Sequence, residues 1–155
     1  MLQRIQTIYL TIVVILSTIT FFLPVLSFTN GAEAYQLDYS GLSQLQGEEF
    51  VRIDSAWALT IFMAIIPIIA IITIFLYKKR LVQIRLCVFN IILMLGFYVM
   101  LYINATFIKS QLGDGTELFL QYTNAFPLVC AILSYLALRA IGKDEALVYA
   151  ADRLR

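Results

Sequence analysis

Four long stretches of this 155-residue chain contain no Asp, Glu, Lys or Arg, and they limit the fold more than any other feature. They cover residues 5–32, 55–77, 86–108 and 118–138. A helix needs about 20 residues to cross the roughly 30 Å hydrocarbon core of a bilayer, so each stretch is long enough. In lipid every backbone N–H and C=O must be paired within the segment, which favours helix even for the isoleucine-rich second stretch. We therefore predict four transmembrane helices.

The predicted fold is an all-α membrane protein, a four-helix transmembrane bundle with a small outer β-sheet or hairpin as its cap. Polar and apolar residues alternate over 35–40, which is typical of a strand, and 50–53 would supply its partner. Residues 116–120 form another candidate strand after a glycine-rich turn. The predicted single domain has helices over about 5–26, 55–77, 85–108 and 121–141, outer loops over 27–54 and 109–120, and a tail over 142–155.

Composition excludes several classes of function. The chain is 61% hydrophobic and 14% charged, whereas soluble domains average about 45–50% and about 25%. A net charge of +1 gives no reason to expect a nucleic-acid partner. The sequence contains no histidine, and its two cysteines, Cys87 and Cys130, lie in apolar stretches without a CxxC pair. We predict no catalytic residue, no cofactor and no metal site.

The basic residues predict the orientation of the helices, because cytoplasmic loops carry an excess of Lys and Arg. Only Arg52 and Lys109 lie on the opposite side. Both termini are therefore predicted to be cytoplasmic, and Trp57, Tyr102 and Tyr122 would lie near the outer membrane surface. The residues on the cytoplasmic side are Arg4, Lys78, Lys79, Arg80, Arg85, Arg139, Lys143, Arg153 and Arg155.

Helix one has a competing interpretation as a signal peptide. Arg4, the apolar run after it and the sequence Ala-Glu-Ala at 32–34 loosely imitate a cleaved leader. The apolar stretch is longer than the usual core of about 7–15 residues, so we expect a retained helix.

Polar residues form a stripe on two of the helices. Thr7, Thr11 and Thr18 share one face of helix one, and Asn90 and Asn104 share one face of helix three. These faces are predicted to point into the bundle or toward another subunit. They would form either a polar groove for a ligand or interhelical hydrogen bonds of about 0.6 kcal/mol each. We favour hydrogen bonding, because no ionisable residue in the spans would select a substrate.

Two further features are candidates for function. Pro67 lies in the middle of helix two and predicts a kink, since proline cannot donate to the carbonyl one turn earlier. Lys78, Lys79, Arg80 and Arg85 form a basic cluster beside the membrane. This cluster either binds anionic lipid headgroups or only fixes the topology.

The tail after Gly142 has the composition of a short separate helix, with acids first and bases last. Leu147, Ala151 and Leu154 would form one apolar stripe. The stripe would dock on a partner or on the bilayer surface, unless the tail is a frayed solvated end. The candidate docking residues are Leu147, Ala151, Asp152, Arg153, Leu154 and Arg155.

Both ends of the chain carry the motifs of a known family. These motifs are MLQRIQTIYL at 1–10, FFLP at 21–24, DEAL at 144–147 and ADRLR at 151–155. Together they resemble a family of small four-span inner-membrane proteins from bacteroidete bacteria, classed as a domain of unknown function. The resemblance covers the whole chain and implies a bacterial inner membrane but no activity. Tyr149 and Ala150 stand where the family usually has Arg-Ser, which makes this tail less basic.

Three hypotheses of function follow. The first is a non-enzymatic accessory, assembly or scaffold subunit of a larger membrane complex, with an unidentified protein partner in the membrane or cytoplasm. The second is a small oligomeric channel, lipid-binding or solute-handling protein that uses the polar stripes. The third, an enzyme, would need a site in the outer loop around Glu48, Glu49 and Asp54, because the spans contain neither histidine nor carboxylate.

Overall fold

The computed structural model describes residues 2–31, 33–47, 49–77, 79–113 and 115–153, and the side chains of all of these except 2–4 and 147–153. Within these ranges the chain forms four α-helices and five β-strands, and a single 3-10 turn precedes the last helix. In chain order the elements are α1 (Leu2–Phe22), β1 (Leu26–Asn30), β2 (Glu33–Asp38), β3 (Gly41–Gln46), β4 (Glu49–Asp54), α2 (Trp57–Phe75), α3 (Arg80–Leu112), β5 (Glu117–Leu120), the 3-10 turn (Tyr122–Ala125) and α4 (Phe126–Arg153).

The four helices form an up-down-up-down bundle. Each helix packs mainly on its two neighbours, in the cyclic order α1, α2, α3, α4. All four are long and apolar enough to cross a membrane. The long first connection, which contains β1–β4, and the β5 segment join helices at the same end of the bundle, because neighbouring helices are antiparallel.

The strands form one antiparallel sheet in the order β4-β3-β2-β1-β5. The predicted strands near 35–40, 50–53 and 116–120 are present, but β2 pairs with β1 and β3 rather than with β4. The unpredicted strands β1 and β3 are what join these pieces into one sheet. The prediction of an all-α bundle with a small cap is therefore wrong, and the fold is a mixed α/β fold.

The sheet is more than a cap because it shares one hydrophobic core with the helices. Leu26, Phe28 and Leu37 are fully buried, and they belong to the same cluster as Leu101 and Ile108 of α3. With about 1.5 Å rise per residue, the 33 residues of α3 extend about 50 Å, well beyond the roughly 30 Å of α1. The sheet packs against this extra length of α3.

Three helices depart clearly from the predicted bounds, and α3 spans Arg80–Leu112 rather than 85–108. α1 ends at Phe22 rather than near 26, because Pro24 cannot continue the helix and the Val25 N–H donates to the carbonyl of Leu37 at 2.8 Å. α4 continues through Gly142 to Arg153, so the tail is an extension of α4 and not a separate helix. An Arg80–Asp144 ion pair at 3.1 Å ties this extension to the first turn of α3.

Gly41 allows the close approach between the β2–β3 turn and the start of α2. Its φ is +123°, which disfavours any side chain, and an added Cβ would lie 2.8 Å from Ser55 Cα and nearer still to the Asp54 carbonyl oxygen. We expect Gly41→Ala to lower the free energy of unfolding by at least about 2 kcal/mol. Thermal unfolding in detergent, followed by circular dichroism, measures this.

Gly142 supplies the matched control, since it lies inside α4 and an added Cβ would contact nothing within 4 Å. Gly142→Ala should raise stability by about 1 kcal/mol, because alanine is the better helix former. If Gly41→Ala and Gly142→Ala shifted stability equally, the described close approach would be wrong.

Candidate functional site

The interior of the bundle is marked by residues that recur in alternating steps of three and four. On α2 the buried residues are Leu59, Met63, Ile66, Ala70 and Thr73. The same spacing runs along the other three helices. This is the heptad repeat of helices that pack side by side at a shallow angle, with one stripe of each facing its neighbours.

Contacts between neighbouring helices fix their register. On the α3–α4 side, the Tyr98 hydroxyl donates to the Asn124 carbonyl at 2.6 Å and accepts from the Leu128 N–H at 3.0 Å. On the α2–α3 side, Gln83 Nε2 donates to the Thr73 carbonyl at 3.2 Å. The α1–α4 side is aligned by Cys130 Sγ, 3.7 Å from the Val13 carbonyl oxygen.

The three contacts show which residues of neighbouring helices lie at the same level. Because each helix repeats its buried positions every three or four residues, the buried residues can be grouped into layers with one residue from each helix. Six of the residues that line an internal cavity of about 10 Å³ belong to the two layers nearest the sheet, which agrees with this grouping. From the end opposite the sheet toward the sheet, the layers are Gln6, Thr73, Gln83 and Ile141; Leu10, Ala70, Cys87 and Ala137; Val13, Ile66, Asn90 and Ser134; Ser17, Met63, Met94 and Cys130; and Thr20, Leu59, Phe97 and Pro127.

Polar side chains occupy several of these buried positions. Gln83 is satisfied by its bond to α2, and Ser17 donates to the Val13 carbonyl of its own helix at 2.7 Å. Asn90 is 1% exposed, and neither atom of its side-chain amide has a hydrogen-bond partner. The hydroxyl of Ser134, in the same layer, is also buried and unpaired. The middle layer therefore carries an energetic penalty, about 1–3 kcal/mol for each unsatisfied group.

The predicted threonine stripe of α1 does not face the interior. Thr7, Thr11 and Thr18 are exposed on the outside of the bundle. The hydroxyls of Thr11 and Thr18 donate to carbonyls of their own helix at 2.8 Å and 2.7 Å. In α3, Asn90 lies in the interior, but Asn104 is only half-buried and donates to the Met100 carbonyl at 2.8 Å. The structure therefore does not bring the two predicted stripes together.

A groove on the outside of the bundle contains two of these threonines. It lies between α1 and the C-terminal end of α2 and has a volume of about 750 Å³. Thr7 and Thr11 line it together with Ile74, Phe75 and Tyr77. The groove is an apolar surface with its threonine hydroxyls at one wall, suited to a neighbouring helix or an acyl chain.

The remaining predicted residues are dispersed. α2 runs continuously through Pro67, which is half-buried. Lys79 and Arg85 are exposed, whereas Arg80 is paired with Asp144. Lys78, Leu154 and Arg155 lie outside the described residues, and for Leu147, Ala151, Asp152 and Arg153 the structure describes the helical backbone alone.

Glu49 and Asp54, the two carboxylates of the predicted outer-loop site that the structure describes, lie far apart. Glu49 and Asp54 are the two ends of β4, so about 17 Å of extended strand separates them. Asp54 Oδ1 accepts from the Ser55 N–H at 2.7 Å. Glu33, on β2, accepts from the Tyr35 hydroxyl and thereby raises the pKa of that tyrosine. Glu48 lies outside the described residues.

The edges of the sheet form the clearest exposed surface. β4 is an edge strand, and all six of its residues are exposed, including Phe50, Val51 and Ile53. The opposite edge, β5, exposes Phe119 and Leu120. An unpaired edge strand presents backbone N–H and C=O groups to which another strand can add.

Comparison with known proteins places the chain in a family. Residues 2–154 match the family described as "Domain of unknown function (DUF4293)", so the chain belongs to that family over nearly its whole length. This agrees with the resemblance to a domain of unknown function seen in the sequence. No curated protein matches the chain.

Asn90, whose buried amide is unpaired, and Gln83, whose amide is hydrogen-bonded, should respond differently to replacement by leucine. Asn90→Leu should raise the free energy of unfolding by about 1–3 kcal/mol, because it removes two unpaired buried polar atoms. Gln83→Leu, the matched control, should lower it by about 0.6 kcal/mol through loss of the bond to Thr73. The measurement is unfolding in detergent, and a destabilised Asn90→Leu variant would show that Asn90 has a partner after all.

Proposed function

We propose that this member of the DUF4293 family is a non-enzymatic integral protein of a bacterial inner membrane, and that it acts as an accessory, assembly or scaffold subunit of a larger membrane complex. The helices anchor the chain in lipid, and the outer sheet makes contacts with a protein partner. The proposal is supported by the outer surface of the helices, by the contents of their interior, and by the edge of the sheet.

The helices are apolar on the outside and partly polar on the inside. Exposed side chains include Ile8, Ile15, Ile68, Ile92 and Val99, each more than half exposed. The buried positions include Gln6, Gln83, Asn90, Thr73 and Ser134. Water would favour the reverse arrangement, whereas hydrocarbon is a good solvent for the exposed residues. This supports a bilayer around the bundle.

The orientation we propose has both termini in the cytoplasm. The loop that ends at Lys79, just before Arg80 begins α3, joins α2 and α3 at the end of the bundle opposite the sheet. The excess of basic residues at that end supports a cytoplasmic position for it and an outer position for the sheet. Trp57 and Tyr122 are both 70% exposed where α2 and α4 begin, as expected for aromatic residues at a membrane surface.

The interior favours a scaffold over a transport path within one copy. Every buried residue that the structure describes is uncharged, and ion and proton pathways depend on ionisable groups. Heptad packing fills the described interior, and the cavity of about 10 Å³ is close to the lower limit for a single water.

The single observation that carries the proposal is the free edge of β4. Strands at a sheet edge are usually protected by charge, proline, shortness or a covering segment. β4 carries Glu49, Arg52 and Asp54, but it also exposes Phe50 and Val51 at 44% each. An apolar pair on an open edge is the arrangement that a partner strand would cover.

A second candidate function is a small oligomeric channel, lipid-binding or solute-handling protein. The groove beside Thr7 and Thr11 favours it, because a neighbouring copy seated there would bring the outward threonines together. Replacing Thr7 and Thr11 by valine would abolish flux through such a path, but it would leave a scaffold's partner bound.

The test is purification from native membranes in mild detergent with a tag after residue 155. We expect a second protein in stoichiometric amount, and we expect Phe50→Lys with Val51→Lys to reduce its recovery at least about ten-fold, because two charges on the edge oppose strand addition. Phe119→Lys, on the other edge, is the matched control and should retain the partner. Recovery of the chain as a homo-oligomer alone, or with a partner indifferent to β4, would sink the scaffold proposal.

A further inference from the structure

A second groove lies at the outer end of the bundle, between α3 and β5. Its volume is about 390 Å³. Leu118 and Leu120 of β5 form one wall, while Tyr102 and Thr106 of α3 belong to the other. The wall residues are almost entirely apolar, although this groove lies on the surface of the fold.

The groove adjoins a second cavity at the start of α4. Tyr98 and Leu120 also line an adjoining cavity of about 390 Å³, which reaches Leu128 of α4. Gln121 and Asn124 supply the polar side chains of this second part. The two cavities share Tyr98 and Leu120 as wall residues, so we treat them as one depression beside α3.

One charge stands at the outer end of this depression. Lys109 lines the groove, and it is the single charged residue that does so among the residues the structure describes. Leu118 and Leu120 point into the groove, so Glu117 lies on the opposite face of β5, since successive strand residues alternate. The depression therefore combines an apolar body with one cationic end.

The position of Lys109 along α3 suits contact with a lipid headgroup. This step rests on the membrane location proposed above. Tyr102 is 71% exposed and lies near the level of Trp57 and Tyr122, which we place at the outer membrane surface. Lys109 follows Tyr102 by seven residues, or about 10 Å along α3. Helical side chains lean toward the N-terminus of their helix, which for α3 is toward the membrane. A Lys109 side chain that leans this way brings its ammonium group toward the layer of lipid phosphates.

We propose that this groove binds one anionic phospholipid of the outer leaflet. An acyl chain lies along Leu118, Leu120 and Tyr98, and the phosphate pairs with Lys109. The positive charge of Lys109 favours an anionic headgroup. The apolar walls favour an acyl chain, which the adjoining bilayer supplies. A neutral lipid or a partner helix in the same groove are the alternatives that the experiment must separate.

The experiment compares binding of phosphatidylglycerol and phosphatidylcholine to the purified full chain by native mass spectrometry. Lys109→Gln should weaken phosphatidylglycerol binding about five-fold and leave phosphatidylcholine unchanged, as expected for one lost cation near an anionic headgroup. Lys109→Arg should restore the preference. Arg52→Gln, which removes the other cation of the outer end, is the matched control and should behave as the unmodified protein.

A second variant tests the body of the groove. Thr106 is exposed and its hydroxyl bonds only within α3, so Thr106→Trp fills the groove without touching the core. It should weaken both lipids about ten-fold through loss of apolar contact. Ser110→Trp, one turn further on an exposed position, is its control. Circular dichroism verifies that both tryptophan variants retain their helices.

Several outcomes would overturn the inference. These are equal binding of the two lipids, no effect of Lys109→Gln, or no effect of Thr106→Trp. A crosslink from Thr106 to a partner helix in native membranes would assign the groove to that partner instead. If the chain did not enter lipid vesicles at all, the membrane location and therefore the proposed function would be contradicted. This result differs from those above, which contradict only the lipid site.

Discussion

The apolar outer surface of the four helices is the constraint on which the rest of the fold depends. Isoleucine, leucine, valine and phenylalanine cover that surface. Because these side chains stay exposed in a single copy, their burial cannot supply the free energy that holds the four helices together. If lipid surrounds the bundle, association of the helices depends on close packing and on hydrogen bonds between or within them. The heptad layers supply the packing, and residues such as Gln83 and Ser17 show how buried polar groups are satisfied.

The sheet follows from the unequal lengths of the helices. α1 ends at Phe22, while α3 continues to Leu112 beside it. One face of this extra length, with Leu101, Ala105 and Ile108, is apolar and would lack a neighbour beyond the end of α1. β1 and β2 cover it with Leu26, Phe28 and Leu37, so the core continues from the helices into the sheet. The sheet is thus built onto α3, and its open edges are β4 and β5.

The sequence predicted the four helical stretches because charge is excluded from them, a signal that does not depend on tertiary contacts. It did not predict β1 or β3. Val25 and Leu26 are as apolar as the helix before them, and only pairing with Leu37 shows that they belong to the sheet. Gly41 is the first residue of β3, where its positive φ suits the turn from β2.

The residues that face the interior of the bundle were also difficult to predict from the sequence. The threonine stripe was predicted to face the interior or another subunit because it is polar, yet hydroxyls that bond to their own helix can face outward at little cost. The true inward face of α1, Gln6, Leu10, Val13, Ser17 and Thr20, mixes polar and apolar types. Its three-and-four spacing was the available signal, and the same spacing would have placed Asn90 and Ser134 in the core.

The most direct test of the account is the sidedness of single cysteines in intact cells. Cys87 and Cys130 would be replaced by alanine, and one new cysteine introduced at exposed Gln46 of the sheet or at exposed Lys79 of the α2–α3 loop. A maleimide that cannot cross membranes should label Gln46→Cys in intact cells, and Lys79→Cys only after the membrane is opened. Equal labelling of both positions in intact cells would contradict a bundle that spans the bilayer with its sheet outside.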